Sequence, residues 1–331
     1  MLFMHPQQKK VVDQDFNGPA RLLGVSGSGK STLIKEIFYP ALNKKLGIHG
    51  QKMGAHEELT GDFSQVEVVE FVDQNPIGRS SRSNPVTYVK AFDEIRDLFS
   101  RQPLAKMRGH KPGYFSFNVE GGRCEMCEGE GVTTVSMQFM ADVHLTCESC
   151  GGSRYKEEAL EIKYREKNIA DILEMDIDEA LHFFSQSDDR LEQKIVEKIQ
   201  PLVDVGLGYL SMGQPSSTLS GGEAQRIKLA SFLTKAKKPT PTMFIFDEPT
   251  TGLHFDDVKK LLVSLNRLID IGHSVVIIEH DMDVVKCADW VIDLGPEGGV
   301  NGGTLVAQGT PEDIVKCEVS YTGKFLKERL S

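Results

Sequence analysis

The sequence lacks any apolar run long enough to cross a bilayer. Its longest examples, residues 243–246 and 275–278, fall far short of the ~20 apolar residues that a membrane-spanning helix needs. Residues 1–10 also lack the continuous apolar core and the small-residue cleavage site of a secretory signal. These absences argue against a membrane or secreted protein, and we expect a cytoplasmic protein with no membrane partner.

Cysteine is scarce, with six residues in a chain of 331, which argues against a disulfide-stapled scaffold. Four of the six form two C-x-x-C pairs, and in a reducing compartment such pairs favour metal binding. Cys287 and Cys317 stand outside the pairs. We expect both to be small buried or half-buried side chains.

Net positive charge is also missing, since the formal net charge is −10. This argues against general affinity for nucleic acid, which depends on clustered cations that displace counterions. One segment differs from the average: between Arg79 and Arg123 nine basic residues stand against four acids, a local balance of +5. The nine are Arg79, Arg82, Lys90, Arg96, Arg101, Lys106, Arg108, Lys111 and Arg123. Any contact with DNA is therefore expected to be local.

Internal repeats, low-complexity tracts and sustained heptads are absent, which argues against repeat folds and long coiled coils. Hydrophobic residues make up 40% of the chain and charged residues 26%, both ordinary values for a globular protein. A chain of 331 residues can form one large domain or two moderate ones, each with its own core.

A glycine-rich loop begins at Gly24. Residues 24–31, GVSGSGKS, match the phosphate-loop pattern G-x-x-x-x-G-K-[ST] between a strand pattern and a helix pattern. Glycines let backbone N–H groups converge on phosphate oxygens, Lys30 supplies a positive charge, and the Ser31 hydroxyl can bind Mg²⁺. The candidate ATP-binding residues here are Gly24, Ser26, Gly27, Ser28, Gly29, Lys30, Ser31 and Thr32. The alternative is a chance glycine-rich loop.

Strand and helix patterns follow one another in a way that predicts an α/β fold with parallel strands. Strands are expected at residues 21–23, 66–73, 243–248 and 274–280. Helices are expected at residues 86–99, 168–184, 190–205 and 256–271 and from Gly221 onward. Residues 103–154, rich in glycine and cysteine, are expected to form a small metal-organised lobe.

Two neighbouring acids end the apolar run at residues 243–246. Asp247 can hold Mg²⁺ through its carboxylate, and Glu248 can polarise an attacking water. An apolar run that ends in Asp-Glu is weak evidence by itself, and a solvated strand end is the alternative.

The order of further motifs resembles the ATP-binding-cassette family. Residues 219–225, LSGGEAQ, resemble its signature sequence and precede residues 246–257, FDEPTTGLHFDD. The resemblance implies that Gln74 senses Mg²⁺ and nucleotide, that residues 252–257 form the D-loop region, and that His280 touches the γ-phosphate. It also implies that Ser220, Gly221 and Gly222 close over ATP held by a second cassette, so that hydrolysis needs pairing. From the residue alone, a histidine after an apolar strand is more often structural than catalytic, and its place behind Glu279 and a buried strand favours the γ-phosphate role.

Two cysteine pairs lie in the 145 residues between Gln74 and Ser220. Cys124, Cys127, Cys147 and Cys150 match the spacing of a structural four-cysteine zinc site, which leaves no open coordination position. Gly129, Gly131, Gly151 and Gly152 can form the turns that aim backbone N–H groups at sulfur. Dithiol redox chemistry and unligated core cysteines are the alternatives.

Longer segments resemble the UvrA family of bacterial DNA-damage sensors, and specifically its second cassette. They are residues 72–88 (VDQNPIGRSSRSNPVTY), 112–131 (PGYFSFNVEGGRCEMCEGEG), 204–230 and 288–299. The resemblance runs from about Gly24 to Gly309 and implies an α/β P-loop ATPase with an inserted helical signature domain that carries the zinc module. The implied domains are a first core part at 1–85, the insertion at 86–218 with zinc at 124–150, and a second core part at 219–331.

The resemblance also implies a function and partners. ATP, Mg²⁺ and Zn²⁺ are the expected cofactors, and damaged double-stranded DNA is the expected ligand in nucleotide excision repair. Lys106, Arg108, Lys111 and Arg123 are the candidate DNA contacts, with a solvated charged surface as the alternative. A second cassette and UvrB are the family's partners, although the first cassette with its UvrB-docking domain is not expected in this sequence.

Phe115 and Phe117, in the segment before the cysteines, have two interpretations. They could wedge between bases of DNA, but core packing is the favoured interpretation.

Two other functions are compatible with parts of the sequence. One is a soluble ATPase subunit of a membrane transporter, against which the cysteine-bearing insertion argues. The other is a cassette that binds ATP and DNA with little turnover, against which the presence of both Glu248 and His280 argues.

Overall fold

The computed structural model describes residues 20–24, 30–78, 82–135, 143–234, 240–295 and 303–330. Within these ranges, in chain order, the strands are β1 (Ala20–Gly24), β2 (Val68–Val72), β3 (Val132–Val135), β4 (Val143–Thr146), β5 (Thr242–Asp247), β6 (Ser274–Glu279), β7 (Val291–Gly295) and β8 (Thr304–Gly309). The predicted phosphate-loop residues Ser26, Gly27, Ser28 and Gly29 and the basic residue Arg79 lie outside the described residues.

The α-helices in the same ranges are α1 (Lys30–Thr32), α2 (Tyr39–Lys45), α3 (Pro85–Tyr88), α4 (Ala91–Ser100), α5 (Pro103–Met107), α6 (Glu157–Leu160), α7 (Ile169–Glu174), α8 (Ile177–Phe184), α9 (Arg190–Asp204), α10 (Gly221–Thr234), α11 (Phe255–Asp270), α12 (Met282–Val285), α13 (Pro311–Val315) and α14 (Tyr321–Leu330). A π-helix at Leu33–Phe38 joins α1 to α2, and 3₁₀ helices lie at Pro112–Phe115 and Ser216–Thr218. Within the described ranges, no helix combines the length and apolarity needed to span a bilayer.

The chain forms two compact units. The first contains residues 1–74 and 235–331, and the second contains residues 75–234. The domain boundaries expected from the sequence, 85/86 and 218/219, stay predictions. The compact units divide at 74/75 and 234/235, so α10 belongs to the second unit.

The first unit is built on a six-stranded sheet with the order β2-β5-β6-β1-β7-β8. All neighbouring strands run parallel except β7 and β8, which are antiparallel. Three predicted strands, at 66–73, 243–248 and 274–280, are observed as β2, β5 and β6, and the expected helix between β5 and β6 is α11. The predicted parallel α/β sheet is therefore confirmed for the described residues.

The core of this unit packs the π-helix and α2 against the sheet. Its buried residues are Leu33, Ile34, Ile37, Phe38, Ala41, Leu42, Leu59, Val66, Val69, Met243, Ile245, Ile278, Ile292 and Leu294. Each fully buried large apolar side chain stabilises the fold by about 1.5–3 kcal/mol. The central strands are buried on both faces, which explains their continuous apolar sequences.

The second unit is mainly helical, and side chains cap several helix starts. Asn168, Asp176 and Asp189 accept hydrogen bonds from the first-turn N–H groups of α7, α8 and α9. The single helix expected at 86–99 is instead two helices, α3 and α4, because Lys90 adopts a left-handed conformation with φ 60°. Its apolar positions Val89, Phe92, Ile95 and Phe99 are nevertheless all buried.

A short hairpin in this unit joins the two cysteine pairs. Strands β3 and β4 pair antiparallel, with Val132 opposite Thr146. The hairpin brings the end of the first pair close to the start of the second, since Cys147 donates its backbone N–H to the Gly131 carbonyl at 3.0 Å.

Candidate nucleotide site and metal centre

The parallel strands of the first unit bring the predicted motif residues to one edge of the sheet. β2 ends two residues before Gln74, β5 ends at Asp247, and β6 ends next to His280. β1 ends at Gly24, the first residue of the phosphate-loop pattern, and Lys30 begins α1. In α/β folds the carboxyl edge of parallel strands is the usual place for ligand binding.

Ser31 and Asp247 lie in direct contact at this edge. The Ser31 hydroxyl donates a hydrogen bond to Asp247 Oδ1 at 3.0 Å, although 216 residues separate them in the chain. Mg²⁺ binds oxygens at 2.0–2.1 Å in octahedral geometry, which sets adjacent ligands about 2.9 Å apart. The two oxygens therefore fit neighbouring positions around one Mg²⁺ ion.

Lys30 is a buried cation surrounded by acids. Its side chain belongs to a residue only 4% exposed. Burial lowers the pKa of Lys30, while the charges of Glu248, Glu279, Asp293 and Asp247 act in the opposite direction. Several carboxylates for one ammonium group leave a local excess of negative charge, which suits a site that also takes a divalent cation.

Glu248 has an unusual backbone conformation, with φ 48° in the left-handed region. Three hydrogen bonds hold it there: its N–H donates to the Ile278 carbonyl at 2.9 Å, and its carbonyl accepts from the Thr251 N–H at 3.2 Å and from Gln74 Nε2 at 3.4 Å. A left-handed non-glycine residue costs about 1–2 kcal/mol, and such strain concentrates at functional sites. The two neighbouring carboxylates have different contacts, because Asp247 accepts from Ser31 and Glu248 lies 3.8 Å from His280.

His280 lies next to Glu248. Its Nδ1 is 3.8 Å from Glu248 Oε1, and the two side chains are 55% and 36% exposed. Both can therefore be reached by a ligand from solvent. The structure thus brings together Glu248, the predicted water-polarising carboxylate, and His280, the predicted γ-phosphate contact, whose roles stay predictions.

Glu279 is a residue that the sequence reasoning did not assign to the site. It is 0% exposed and accepts hydrogen bonds from four donors. Thr250 donates its backbone N–H and its hydroxyl to Oε1, and the N–H groups of His280 and Asp281 donate to Oε2. This one carboxylate thus ties the segment after β5 to the segment that carries His280. An acid at the end of the apolar run at 274–278 was the available signal.

We expect Glu279→Ala to lower the free energy of unfolding by about 3 kcal/mol, because several partly buried N–H groups lose their acceptor. Urea denaturation of the intact chain followed by circular dichroism measures this loss. Glu67→Ala, which removes an exposed acid of the same unit, is the matched control and is expected to change stability by less than about 0.5 kcal/mol. Equal urea midpoints for Glu279→Ala and Glu67→Ala would contradict a stabilising role of the Glu279 carboxylate.

Asp293 is a second unassigned acid near Lys30. It is buried on β7 and accepts hydrogen bonds from Ser320 Oγ at 2.6 Å and Thr322 Oγ1 at 2.8 Å. Burial raises the pKa of Asp293, and these two hydroxyls and the charge of Lys30 oppose that effect. These contacts attach Ser320 and the first turn of α14 to the central sheet near Lys30.

The signature residues lie in the second unit, at the start of α10. Ser220 and Glu223 form a capping pair: the Ser220 N–H donates to Glu223 Oε2 at 2.7 Å, and the Glu223 N–H donates to Ser220 Oγ at 3.3 Å. The Tyr209 hydroxyl donates to Glu223 Oε1 at 2.7 Å. Burial tends to raise the pKa of Glu223, but these hydrogen bonds lower it overall. Gly221 and Gly222 form the first turn of the helix, whose N-terminus attracts anions.

The four paired cysteines form one cluster. The Sγ atoms of Cys124, Cys127, Cys147 and Cys150 lie within 4.8 Å of one another. The Cys124–Cys147 and Cys127–Cys150 sulfur distances are 3.9 and 3.7 Å. A tetrahedral zinc site with Zn–S bonds of 2.3 Å has sulfurs about 3.8 Å apart. The donor set and its spacing therefore fit Zn²⁺.

Backbone N–H groups point at these sulfurs, as the glycines predict. Gly131 donates its N–H to Cys127 Sγ at 3.3 Å. The four glycines all have positive φ: Gly129 85°, Gly131 79°, Gly151 58° and Gly152 92°. Burial tends to raise the pKa of Cys124, but hydrogen bonds from Cys127 and its neighbours lower it to about 7. Burial raises the pKa of Cys127 to about 12, and it also raises the pKa of Cys150. The N–H groups aimed at the sulfurs suit thiolates, the form that binds metal.

The four candidate DNA-contacting residues differ in exposure and in the ion pairs and hydrogen bonds that they already form. Lys106 and Lys111 are exposed. Arg108 forms an ion pair with Glu161 and also donates to the Glu158 carbonyl at 3.1 Å. Arg123 is half-buried, and its Nη1 lies 3.5 Å from the Asn118 carbonyl. Lys106 and Lys111 are therefore better placed than Arg108 to contact phosphates.

Other basic residues of the same segment are also paired with acids. Arg96 contacts Asp93, Arg101 contacts Asp97, and Arg82 contacts Glu128 and Glu130. Since Glu128, Glu130 and Glu161 lie outside the segment, its local balance of +5 overstates the positive charge at this surface.

Phe115 and Phe117 are both 0% exposed. Phe117 stacks on Phe92 with ring centroids 4.9 Å apart. Core packing, the favoured interpretation, is thereby confirmed.

Of the two cysteines outside the C-x-x-C pairs, Cys317 is half-buried as expected, whereas Cys287 is exposed, so the prediction for Cys287 is wrong. Its position after the short helix α12 leaves the thiol at the surface.

The chain resembles UvrABC system protein A in sequence. It is 54% identical to that protein of Clostridium perfringens over 307 residues and 57% identical to that of Aquifex aeolicus over 310 residues, in each case 93% of this chain. It spans about a third of these relatives' own length, 32% and 33% respectively. No protein-family model matches the chain.

A solved structure shares the fold. The crystal structure of UvrA2 from Deinococcus radiodurans matches with a TM-score of 0.83 and 46% sequence identity, and the match covers 95% of this chain and 37% of that one. The resemblance to the UvrA family predicted from the motifs is confirmed in sequence and in fold.

Proposed function

We propose, on the premise of its resemblance to UvrA, that the chain is an ATP-hydrolysing cassette that engages damaged duplex DNA in nucleotide excision repair. The observation that carries the proposal is the Ser31–Asp247 hydrogen bond of 3.0 Å, beside Glu248 at the same strand end. It joins the predicted Mg²⁺ ligands of two distant motifs. The corresponding domains are 1–85, 86–218 with the zinc module, and 219–331.

The residues of the first unit have separate tasks in the proposed hydrolysis. Gly24, Lys30 and Thr32, with Ser26, Gly27, Ser28 and Gly29, bind the phosphates. Ser31 and Asp247 hold Mg²⁺, which supplies charge neutralisation on the phosphate oxygens.

Three further residues of this unit handle the water and the γ-phosphate. Glu248 orients the attacking water and accepts its proton. His280 contacts the γ-phosphate. Gln74 reports on the site through the Glu248 carbonyl, to which its amide lies 3.4 Å away.

The signature residues act on a second cassette in this proposal. The N-terminus of α10 presents the N–H groups near Ser220, Gly221 and Gly222, a suitable cradle for the γ-phosphate of ATP bound to a partner. The Ser220–Glu223 capping pair stabilises the conformation of the first turn of α10. Hydrolysis then requires pairing, with a UvrA-type first cassette or with a second copy of this chain.

The zinc module and its neighbouring cations form the proposed DNA surface. Four thiolates fill the coordination of Zn²⁺, so the metal organises the fold and takes no chemical part. Lys106 and Lys111 contact DNA phosphates, and Arg108 and Arg123 contribute less. These contacts do not depend on the base sequence. Damage is then recognised through the deformability of the duplex. UvrB is the proposed downstream partner of the longer family protein, and the cytoplasm the proposed location.

Duplex binding across nucleotide states tests the proposal. Fluorescence anisotropy of the purified chain with a labelled duplex, with and without a bulky base adduct, is measured without nucleotide, with ADP and with ATP. We expect affinity to change with the nucleotide and to be higher for the duplex with the adduct. A chain that binds no duplex in any nucleotide state would refute the DNA part of the proposal.

Variants of the two exposed lysines locate the surface. We expect Lys106→Ala with Lys111→Ala to weaken binding to both duplexes equally, by about tenfold, because phosphate contacts carry no sequence information. The slope of log affinity against log salt should become shallower by about one for each lysine that contacts a phosphate. Lys163→Ala, an exposed lysine of the same unit, is the control. Wild-type affinity and slope in the double variant would exclude this surface.

A further inference from the structure

Arg154 is a buried cation in a strained conformation beside the cysteine cluster. The residue is 9% exposed, and its φ is 72°, in the left-handed region. A non-glycine residue is strained in that region, and a buried charge is unfavourable unless other charges or hydrogen bonds compensate it. Neither the fold nor the nucleotide site accounts for an arginine at this position.

The backbone of Arg154 contacts both cysteine pairs. Its carbonyl accepts a hydrogen bond from the Cys124 N–H at 2.8 Å. Its own N–H donates to the Cys150 sulfur. The residue therefore lies against one cysteine of each pair, and its conformation depends on how the cluster is arranged.

The side chain of Arg154 faces the cluster and a distant loop. Nη2 donates to the Gly213 carbonyl at 2.9 Å, and the guanidinium lies 5.4 Å from the ring centroid of Phe117. Nη1 is buried and has no hydrogen-bond partner among the described residues. Burial lowers the pKa of Arg154, while the charges of Cys127 and Cys150 act to keep it protonated.

The loop that Arg154 holds leads to the signature residues. Gly213 donates its N–H to the Leu173 carbonyl at 2.8 Å, and seven residues later the chain reaches Ser220. Residues 213–215 border a cavity of about 280 Å³ that residues 152–154 also line. Arg154 and the loop thus share one cavity wall, and the Met212 N–H also holds the loop through the Met175 carbonyl at 2.9 Å.

We propose that Arg154 is a positioning residue that compensates the negative charge of the metal–thiolate centre and fastens the 211–215 loop, so that metal occupancy and the loop before the signature helix are coupled. Four thiolates and one Zn²⁺ sum to −2, and the buried guanidinium supplies +1 beside them. Loss of the metal changes the charge that Arg154 compensates, and the Gly213 hydrogen bond weakens with it. The proposal rests on the zinc module proposed above.

Release of zinc from the purified 331-residue chain to a chromogenic chelator tests the charge role. We expect Arg154→Met to release zinc about 10- to 100-fold faster than wild type, since outer-shell partners contribute that much to metal retention. Arg154→Lys keeps the charge and should restore release to within about threefold of wild type. Arg165→Met removes another arginine of the same unit, paired with the buried Glu192. That control should leave the release rate unchanged even where it lowers stability.

Amide hydrogen exchange of peptides covering residues 211–216 tests the coupling to the loop. In wild type, removal of the metal should speed exchange in these peptides. In Arg154→Met, exchange should already be fast with the metal bound, and its removal should add little. Slow exchange in metal-loaded Arg154→Met would overturn the coupling.

The outcomes separate this inference from the zinc proposal itself. Purified wild-type chain without stoichiometric zinc would refute the metal centre. Zinc that is present but released at the same rate from wild type and Arg154→Met would refute the role of Arg154 alone. Equal acceleration in Arg154→Met and Arg165→Met would also refute it, because general destabilisation would then explain the effect.

Discussion

Glu248→Gln is expected to lower the rate of ATP hydrolysis by about 10²–10⁴-fold while leaving ATP binding intact. Glutamine has the size of glutamate but cannot accept the proton of the attacking water. The Glu248 side chain is 36% exposed and lies 3.8 Å from His280, so it is accessible to a ligand and adjacent to the proposed γ-phosphate contact. Lys30, the proposed phosphate-binding residue, and Ser31 and Asp247, the proposed Mg²⁺ ligands, are untouched by the change.

The backbone at this position favours Gln as the test substitution. Glu248 is held at φ 48° by hydrogen bonds of its own N–H and carbonyl, to Ile278, Thr251 and Gln74. None of these bonds uses the side-chain carboxylate. We therefore expect Glu248→Gln to keep the strained turn, whereas a β-branched residue would disfavour the left-handed conformation.

Steady-state phosphate release and binding of a fluorescent ATP analogue measure the two effects separately. Glu67→Gln, at an exposed position of the same unit, controls for loss of a surface charge. Unchanged phosphate release in Glu248→Gln would remove Glu248 from the proposed chemistry. Loss of analogue binding together with hydrolysis would instead assign the residue to nucleotide binding or to the fold.

The positions of the candidate nucleotide-site residues could be predicted from the sequence where the residue ends or follows a predicted strand. Asp247 ends an apolar run, and the strand pattern at 66–73 delivers Gln74 to the next loop. The carboxyl ends of parallel strands meet at one edge, so sequence order alone brought these residues together. The hydrogen bond between Ser31 and Asp247 is a consequence of that rule.

The buried acids of the site could not be predicted in the same way. Glu279 and Asp293 sit in or at the end of apolar strands, where sequence alone does not reveal what would compensate a buried charge. Two of the four donors to Glu279 belong to Thr250, and the donors to Asp293 belong to Ser320 and Thr322, all hydroxyl residues far away in the chain. Only the folded packing brings such donors within reach. The end of α3 and the start of α4 around Lys90 could not be predicted either. The apolar residues of 86–99 keep helical spacing across Lys90, so the sequence pattern predicts one continuous helix.

The cysteine cluster was predictable from spacing and glycines, but its surroundings were not. Two C-x-x-C pairs followed by glycines predicted which four cysteines come together and the turns around them. Arg154 has no such signature, because its position depends on contacts with Gly213 and Phe117. The positive charge of the segment from Arg79 to Arg123 was overestimated because its ion pairs cross the segment's limits. Arg108, for example, is paired with Glu161.

Cys147→Ser should remove the metal from the chain. Cys147 is 0% exposed, and its Sγ lies 3.9 Å from that of Cys124. A serine hydroxyl stays protonated at neutral pH and is a poor ligand for Zn²⁺, so three thiolates remain where four are needed to close the tetrahedron. Zinc measured by elemental analysis should fall from about one ion per chain to near zero.

The same variant separates the zinc module from the nucleotide site. The β3–β4 hairpin and the turns at Gly131 and Gly151 depend on the metal, so duplex binding is expected to weaken with its loss. ATP binding should remain, because Lys30, Ser31 and Asp247 belong to the other compact unit. Cys287→Ser removes an exposed thiol outside the cluster and should change neither metal content nor binding. Unchanged zinc in Cys147→Ser would refute four-cysteine ligation, and equal loss in both cysteine variants would point to a general effect of thiol removal.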